Sequence, residues 1–393
     1  MTSAPSLIAS LTPRETLLSL ASAIVSVTIV GIGLSLTMPL LALRLDQQGF
    51  SARAIGLNST AGGLAVLVGA GAVPALVRQF GVKRLLLLSI LISCISLLNF
   101  ALTNNYWTWL AIRAVFGGAL STLFVTSEFW INAVAPPRQR GFVLGFYATS
   151  LSAGFAAGPM ILGFTGTEGI SPFLAGVVLF ALASAPIVIW SGKAPVIKSV
   201  PNAGLLAILT CVPLATIAAL LHGAIETASL GLLPVYALRA GDSPQTGALL
   251  VSLFALGNVV FQLPIGFVSD HMARGKLLVF LASISLCGAV AMATAGPERF
   301  LLFCFLLVIW GGVVGSLYAV GLAHLGSRYS GADLASANAA FIMLYALGMI
   351  IGPPIAGFGM DLISPNGLFF SIAAMLGLYL ILAWLRNARI STG

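Results

Sequence analysis

The stretch GFYATSLSAGFAAGPMILG, residues 145–163, decides how this chain is interpreted. It is mostly apolar, as a membrane helix is, yet glycine recurs along it. Gly154 and Gly158 lie four residues apart, so they share one helix face and let a neighbouring backbone approach closely. Pro159 removes a backbone hydrogen bond and permits a bend. The same pattern returns far downstream, at Gly348, Gly352, Pro353 and Gly357.

The composition indicates an integral membrane protein. Of 393 residues, 59% are apolar and only 7% are charged, against roughly 25% charged in soluble globular proteins. Apolar runs of about 20 residues, each long enough to cross a bilayer core, recur about a dozen times. We therefore predict an all-α fold of twelve transmembrane helices without a soluble domain.

The net charge of +8 is a topology signal and gives no support to a nucleic-acid partner. With a cytoplasmic N-terminus, thirteen basic residues fall on the inner side and four, Arg44, Arg53, Arg239 and Arg299, on the outer side. This distribution follows the positive-inside rule. We expect a multi-pass protein of the plasma membrane (the inner membrane in a bacterium), with both termini cytoplasmic. The inner residues are Arg14, Arg78, Lys83, Arg84, Arg138, Arg140, Lys193, Lys198, Arg274, Lys276, Arg328, Arg386 and Arg389.

The cysteines and aromatic residues suggest structural roles. The four cysteines, Cys94, Cys211, Cys287 and Cys304, lie in apolar segments without a CxxC pair, so we expect buried, inert thiols and neither a metal site nor a cofactor. Tyr106, Trp107 and Trp109 are interpreted as an interfacial aromatic belt.

An internal repeat organises the chain. Pro39 to Arg44 matches Pro234 to Arg239, Gly117-Gly118 matches Gly311-Gly312, and the glycine pattern above recurs, at offsets of 195, 194 and 194 residues. The repeat predicts two pseudo-symmetric six-helix halves, residues 1–191 and 205–393, joined by a cytoplasmic linker at 192–204. Such halves enclose a central cavity near the bilayer midplane. We place helix 7 at about 205–238.

At this point the chain resembles the major facilitator superfamily over nearly its whole length. The loop after helix 8 is similar to the inner-side gating signature of that superfamily, with Gly266, Ser269, Asp270, Arg274 and Lys276. The equivalent first-half loop matches at Gly81, Lys83 and Arg84 but has Arg78 where the superfamily usually has an acidic residue.

Two further motifs point to a direction of transport. Arg113 followed by Gly117-Gly118 resembles the helix 4 motif associated with proton-coupled exchange. Gly145, Gly154, Gly158-Pro159 and Gly163 resemble the helix 5 motif of the efflux antiporters, with Leu162 replacing one of its usual glycines. The resemblance implies alternating access with export.

Helix 4 carries the first pair of candidate charges. Arg113, Gly117, Ser121, Glu128 and Asn132 share one face at 100° per residue, and Arg113 and Glu128 lie about 22 Å apart along the axis. Arg113 either binds an anionic substrate or tunes a carboxylate, or it anchors to backbone carbonyls. Glu128 either carries the coupled proton or pairs with Arg138, Arg140 or a neighbouring helix.

Helix 7 carries the second pair. His222 and Glu226 lie one turn apart on one face, and an imidazole and a carboxylate in a low dielectric can exchange protons near neutral pH. The alternative is a pair that holds helix 7 to a neighbour. Neutral polar residues could complete a binding site or simply join helices: Tyr147, Asn258, Gln262, Tyr318, Asn338 and Tyr345.

We therefore predict a secondary transporter, a monomer in the bilayer, that exports a small amphipathic compound in exchange for protons. The chain has no G-x-x-x-x-G-K-[ST] loop for direct use of ATP. The alternative within transport is a proton symporter or facilitator that imports an organic acid or sugar. An intramembrane enzyme lacks its motif spacing here, and a transport-inactive receptor would be expected to carry a sensor domain.

Overall fold

The computed structural model describes residues 13–134, 140–189, 213–295, 299–328 and 331–391. Within these residues the chain forms twelve α-helices. They are α1 (Pro13–Gln47), α2 (Ala52–Phe80), α3 (Val82–Leu102), α4 (Tyr106–Val134), α5 (Arg140–Thr165), α6 (Ser171–Ile189), α7 (Pro213–Arg239), α8 (Pro244–His271), α9 (Arg274–Ala295), α10 (Phe300–Gly326), α11 (Gly331–Leu362) and α12 (Gly367–Ser391). The all-helical prediction is confirmed, and ten stretches of the described residues are long and apolar enough to cross a membrane.

Short polar side chains define where several helices begin. Asn105 accepts hydrogen bonds from the backbone N–H groups of Trp107 and Thr108 at 3.0 and 3.1 Å, and so caps α4. Ser243 accepts from Thr246 N–H at 3.2 Å ahead of Pro244, and so caps α8. These caps satisfy N–H groups that the first turn of a helix leaves unpaired. Turns between the helices can therefore be short.

Hydroxyl groups inside α1 are satisfied by their own helix. Ser22, Ser26, Thr28, Ser35 and Thr37 each donate to the carbonyl oxygen four residues earlier, at 2.6 to 2.8 Å. A polar group buried in an apolar setting costs free energy unless it is hydrogen-bonded. This local pairing lets α1 carry many hydroxyls and still pack against apolar neighbours.

The chain divides into two compact units. The first unit comprises residues 1–37 and 65–200, and the second comprises residues 38–64 and 201–393. In the first unit α3 packs on α4 and α6; in the second, α7 packs on α8, α10 and α11.

Glycines bring α1 and α5 into backbone contact in the first unit. A Cβ atom on Gly31 would meet the carbonyl oxygen of Leu151, and one on Gly154 would meet the carbonyl oxygen of Thr28. Ser35 adds a hydrogen bond of 3.2 Å to the carbonyl of Gly154. Close approach is thus reciprocal, as expected for helices packed through small residues.

The second unit contains the same arrangement between α7 and α11. A Cβ atom on Gly223 would meet the carbonyl oxygen of Tyr345, and one on Gly348 would meet that of Leu220. Gly223 and Leu220 of α7 each follow their α1 counterparts, Gly31 and Thr28, by 192 residues. Tyr345 and Gly348 of α11 follow Leu151 and Gly154 of α5 by 194 residues. The sequence repeat is therefore accompanied by a repeated helix contact.

Two expectations about individual residues need correction. Trp109 is fully buried and donates its indole N–H to the carbonyl of Thr103 at 2.7 Å, so it belongs to the core, whereas Trp107 is 72% exposed. The three described cysteines are free, but none is buried: Cys287 is exposed, and Cys94 and Cys304 are intermediate. Apolar surroundings in a membrane helix include lipid-facing positions, so they do not imply burial in the protein. Cys211 lies outside the described residues, as do 205–212 of the predicted helix 7.

Candidate functional site

The most concentrated polar cluster among the candidate residues lies in the second unit. His222 and Glu226 are on α7, Tyr318 is on α10 and Tyr345 is on α11. The His222 side chain is 6% exposed and that of Glu226 15%. Burial of a carboxylate in a membrane protein is costly and points to a specific role or partner. We call these four residues the α7 cluster.

Two hydrogen bonds set the orientation of the imidazole and the carboxylate. His222 Nδ1 lies 3.1 Å from the carbonyl oxygen of Val314, and because a carbonyl only accepts, Nδ1 carries a proton. The hydroxyl of Tyr345 donates to Glu226 Oε2 at 2.6 Å. The remaining ring nitrogen, Nε2, is 3.4 Å from the same oxygen, Oε2. One removable proton can therefore be shared between Nε2 and Oε2.

Aromatic rings enclose this pair. The His222 ring lies 5.4 Å from Tyr318 and 5.9 Å from Tyr345, centroid to centroid, and the two tyrosine rings are 5.4 Å apart. Tyr318 also packs at 5.0 Å on Phe341. The rings limit water around the carboxylate, which strengthens its interactions with the groups that remain.

Three further candidate residues belong to α8 and α11 of the second unit. Asn258 is half-buried on α8 and its amide occupies the space that a side chain at Gly315 of α10 would need. Gln262 is exposed on α8. The side chain of Asn338 lies outside the part of the chain that the structure describes. Asn258 therefore packs closely against α10.

The first unit holds the candidates of α4 and α5. Arg113 is buried at 5% exposure, and Tyr147 is buried with its hydroxyl 3.0 Å from Ser127 Oγ. Gly117 and Ser121 are buried, whereas Glu128 is exposed. The face of α4 that these residues share is therefore buried at Arg113, Gly117 and Ser121 but exposed at Glu128. Neighbouring helices do not cover this face along its whole length. Tyr147 and Ser127 are a contact that sequence spacing did not indicate.

The two loop motifs that we expect on the inner side adopt defined structures. Arg274 donates to Asp270 Oδ1, Ser269 Oγ and the carbonyl of Ala323 at 3.2, 3.4 and 3.3 Å, and so ties α8 and α9 to the C-terminal end of α10. In the first unit, Gly81 has φ +75°, which favours glycine, and Lys83 Nζ donates to the carbonyl of Val188 at the end of α6 at 3.0 Å. Lys276, Arg78 and Arg84 are exposed.

Long apolar helices with few buried charges define a multi-pass membrane protein, and comparisons identify its family. The model of the Major Facilitator Superfamily matches residues 23–241 and 215–391. The chain belongs to this superfamily and is a transporter of that type. The structure of the nucleoside transporter NupG has a TM-score of 0.74 at 16% identity, covering 95% of this chain and 98% of that chain. The structure of the D-xylose-proton symporter has a TM-score of 0.71 at 13% identity, covering 94% of this chain and 96% of that chain.

Relatives by sequence are transporters of the same type. The uncharacterized MFS-type transporter YfkF of Bacillus subtilis is 27% identical over 366 residues, covering 89% of this chain and 90% of that protein. A transporter of the same description from Yersinia pestis is 26% identical over 373 residues, covering 89% and 91%. The solved structures, at this identity, show a shared fold.

Proposed function

We propose that this chain is a proton-coupled secondary transporter that works by alternating access between two six-helix halves, 1–191 and 205–393, with twelve membrane spans. The repeated contacts of α1 with α5 and of α7 with α11 support a duplicated unit. The two helices beyond the ten clear spans, α2 and α5, have 29 and 26 residues, enough to cross a bilayer core of about 30 Å.

The α7 cluster is the observation that carries the proton-coupling proposal. His222 Nδ1–H donates to the carbonyl of Val314, and the Tyr345 hydroxyl donates to Glu226. The exchangeable proton of the His222–Glu226 pair is therefore held at Nε2 or at Oε2, which lie 3.4 Å apart. With that proton the pair is neutral, and without it the pair bears a charge of −1. A buried site whose net charge changes in this way can be coupled to movement of a substrate, because crossing the low-dielectric interior favours the neutral form.

We propose export of a small amphipathic compound as the direction of transport. The helix 5 glycine pattern, which resembles that of efflux antiporters, supports export. Its Gly154 and Gly158 lie directly against the backbone of α1. In the proposed cycle a proton enters from the outer side, binds at Glu226, and displaces the substrate before the halves rock. Glu128, exposed on α4, is the second candidate for the proton.

The alternative is import of an organic acid or sugar with protons. Arg113 is buried on α4, and a buried guanidinium suits recognition of a carboxylate. The D-xylose-proton symporter shares the fold, and this alternative requires symport with protons or facilitated transport.

The sign of accumulation separates the two directions. A deletion strain screened against a compound panel identifies a substrate, and everted vesicles with an imposed inside-acidic pH gradient then report its flux. Export by proton exchange predicts accumulation inside everted vesicles that stops when the gradient is collapsed. Glu226→Gln should abolish that accumulation; a variant that accumulates substrate at the wild-type rate would exclude Glu226 as the proton carrier.

A further inference from the structure

Three charged side chains meet at one end of the second unit. Arg239, at the end of α7, lies 3.2 Å from Asp46, at the end of α1, and 3.2 Å from Asp361, at the end of α11. The side chains of Arg239, Asp46 and Asp361 are 20%, 17% and 27% exposed. Ion pairs on an open surface contribute little, but partial burial and shared partners strengthen them. One guanidinium thus holds the ends of three helices together.

Asp361 also caps a fourth helix. Its two carboxylate oxygens accept from the backbone N–H groups of Ala52 and Arg53 at 2.8 and 2.9 Å. These N–H groups begin α2, where the helix dipole favours a negative charge. The cap of α2 is therefore supplied by α11, more than 300 residues away in the sequence, in addition to Ser51 of the local turn, which accepts from Ala54 N–H.

Glycines extend this contact along α2 and α11. A Cβ atom on Gly357 would meet the carbonyl oxygen of Ala52, and one on Gly56 would meet that of Pro353. Farther along, Gly63 lies against Met349, which is 6% exposed. The charges therefore sit at the end of a continuous backbone contact between two helices.

We propose that Asp46, Arg239 and Asp361 form an outer latch, which holds α1 and α2 against α7 and α11 and must break when the transporter opens to the outside. The repeat assigns α1 and α2 to one half and α7 and α11 to the other, so this contact joins helices that alternating access would separate. The inference rests on the proposed alternating access. The latch is distinct from the ion pair of Asp270 with Arg274 in the loop between α8 and α9.

The latch can be tested by labelling a single cysteine. In a background with Cys94, Cys211, Cys287 and Cys304 replaced by serine, Met349→Cys places a thiol under the latch. A membrane-impermeant maleimide is applied from the outer side. Removing one partner of a charge-assisted hydrogen bond shifts an equilibrium by roughly tenfold, so Asp361→Asn should raise the labelling rate by about that factor.

Matched variants make the result specific. Asp242→Asn removes the same charge at the same end of the unit, outside the latch. Its Met349→Cys thiol should be labelled at the same rate as in the protein with the latch intact. Arg239→Gln breaks both ion pairs but leaves the cap of α2, so it tests the latch even if Asp361→Asn does not fold. Gly56→Ala separates α2 from α11 without a charge change and should also raise the rate.

If Arg239→Gln is monodisperse and its Met349→Cys thiol is labelled no faster than in the protein with the latch intact, the latch is overturned. An equal rise in Asp242→Asn would do the same. Labelling requires neither substrate nor a pH gradient, whereas the proposed function is judged by gradient-driven flux. A failure of one is therefore distinguishable from a failure of the other.

Discussion

At the scale of single residues, the decisive feature is a carboxylate that is largely removed from solvent, with its side chain 15% exposed, and yet has several hydrogen-bonding partners. Glu226 receives a hydrogen bond from Tyr345 and faces His222, whose other nitrogen is engaged by Val314. An ionisable group inside a membrane protein costs about 2.5–3.5 kcal/mol on insertion scales. Hydrogen bonds to a charged group, at roughly 1.5–3 kcal/mol each, are of a size that offsets this cost.

Tyr345→Phe tests the role of the hydroxyl. The substitution keeps the ring that packs on His222 and Tyr318 but removes the 2.6 Å donor to Glu226. We expect gradient-driven flux to fall about tenfold and its pH profile to move, since a hydrogen bond to a charged group is worth about 1.5 kcal/mol or more.

Tyr379→Phe is the matched control for this measurement. It also removes a tyrosine hydroxyl hydrogen bond in the second unit, to the carbonyl of Leu214 at 3.1 Å, but on α12 and away from the α7 cluster. Flux and pH profile should stay at wild-type values. An identical response of Tyr345→Phe and Tyr379→Phe would contradict a specific role for the Tyr345 hydroxyl.

At the scale of helices, the duplicated glycine contact explains how α1 meets α5 and α7 meets α11. Carbonyl oxygens of one helix occupy the space where the partner's glycine would need a Cβ. Overpacking of such a contact costs typically 1–3 kcal/mol. These glycines are therefore structural requirements of the repeat.

Gly154→Ala should lower the free energy of unfolding by about 1–3 kcal/mol, because its Cβ would meet Thr28. Gly163→Ala on the same helix is the control, since a Cβ there meets nothing within 4 Å, and it should stabilise by about 0.5–1 kcal/mol through helix propensity. Denaturant unfolding of the purified protein measures both. A loss of stability in Gly163→Ala equal to that in Gly154→Ala would count against the packing account.

For each glycine contact, of α1 with α5 and of α7 with α11, the sequence predicted the glycine on one helix but missed the glycine on its partner. The apolar runs predicted the helices, and the repeat predicted Gly154, Gly158 and Gly348. It missed Gly31 and Gly223 because α7 contains three more residues than α1 between that glycine and the following proline, so the offset changes from 192 to 195. The spacing of His222 and Glu226 predicted a pair on α7.

The partners from other helices could not be predicted. Nothing in the local sequence marks the carbonyl of Val314, the contact of Ser127 with Tyr147, or the cap that Asp361 supplies to α2. Such contacts depend on tertiary packing between segments far apart in the chain. Burial of Trp109 was missed for the same reason.

At the scale of the whole molecule, the charge distribution predicts the orientation in the membrane. We expect Gln48→Cys, in the exposed turn between α1 and α2, to react with an impermeant maleimide in intact cells. Met272→Cys, 48% exposed between α8 and α9, should react only after permeabilisation. Both are made in the cysteine-free background, and the reverse pattern would contradict the predicted topology.

The most direct measurement of the central claim compares two kinds of transport in the same proteoliposomes. Substrate counterflow needs only binding and alternating access, whereas accumulation against a gradient also needs a coupled proton. With the substrate found by screening, we expect Glu226→Gln to retain counterflow and to lose accumulation driven by a pH gradient. Accumulation at the wild-type level in this variant, with counterflow intact, would show that the coupled proton is carried elsewhere.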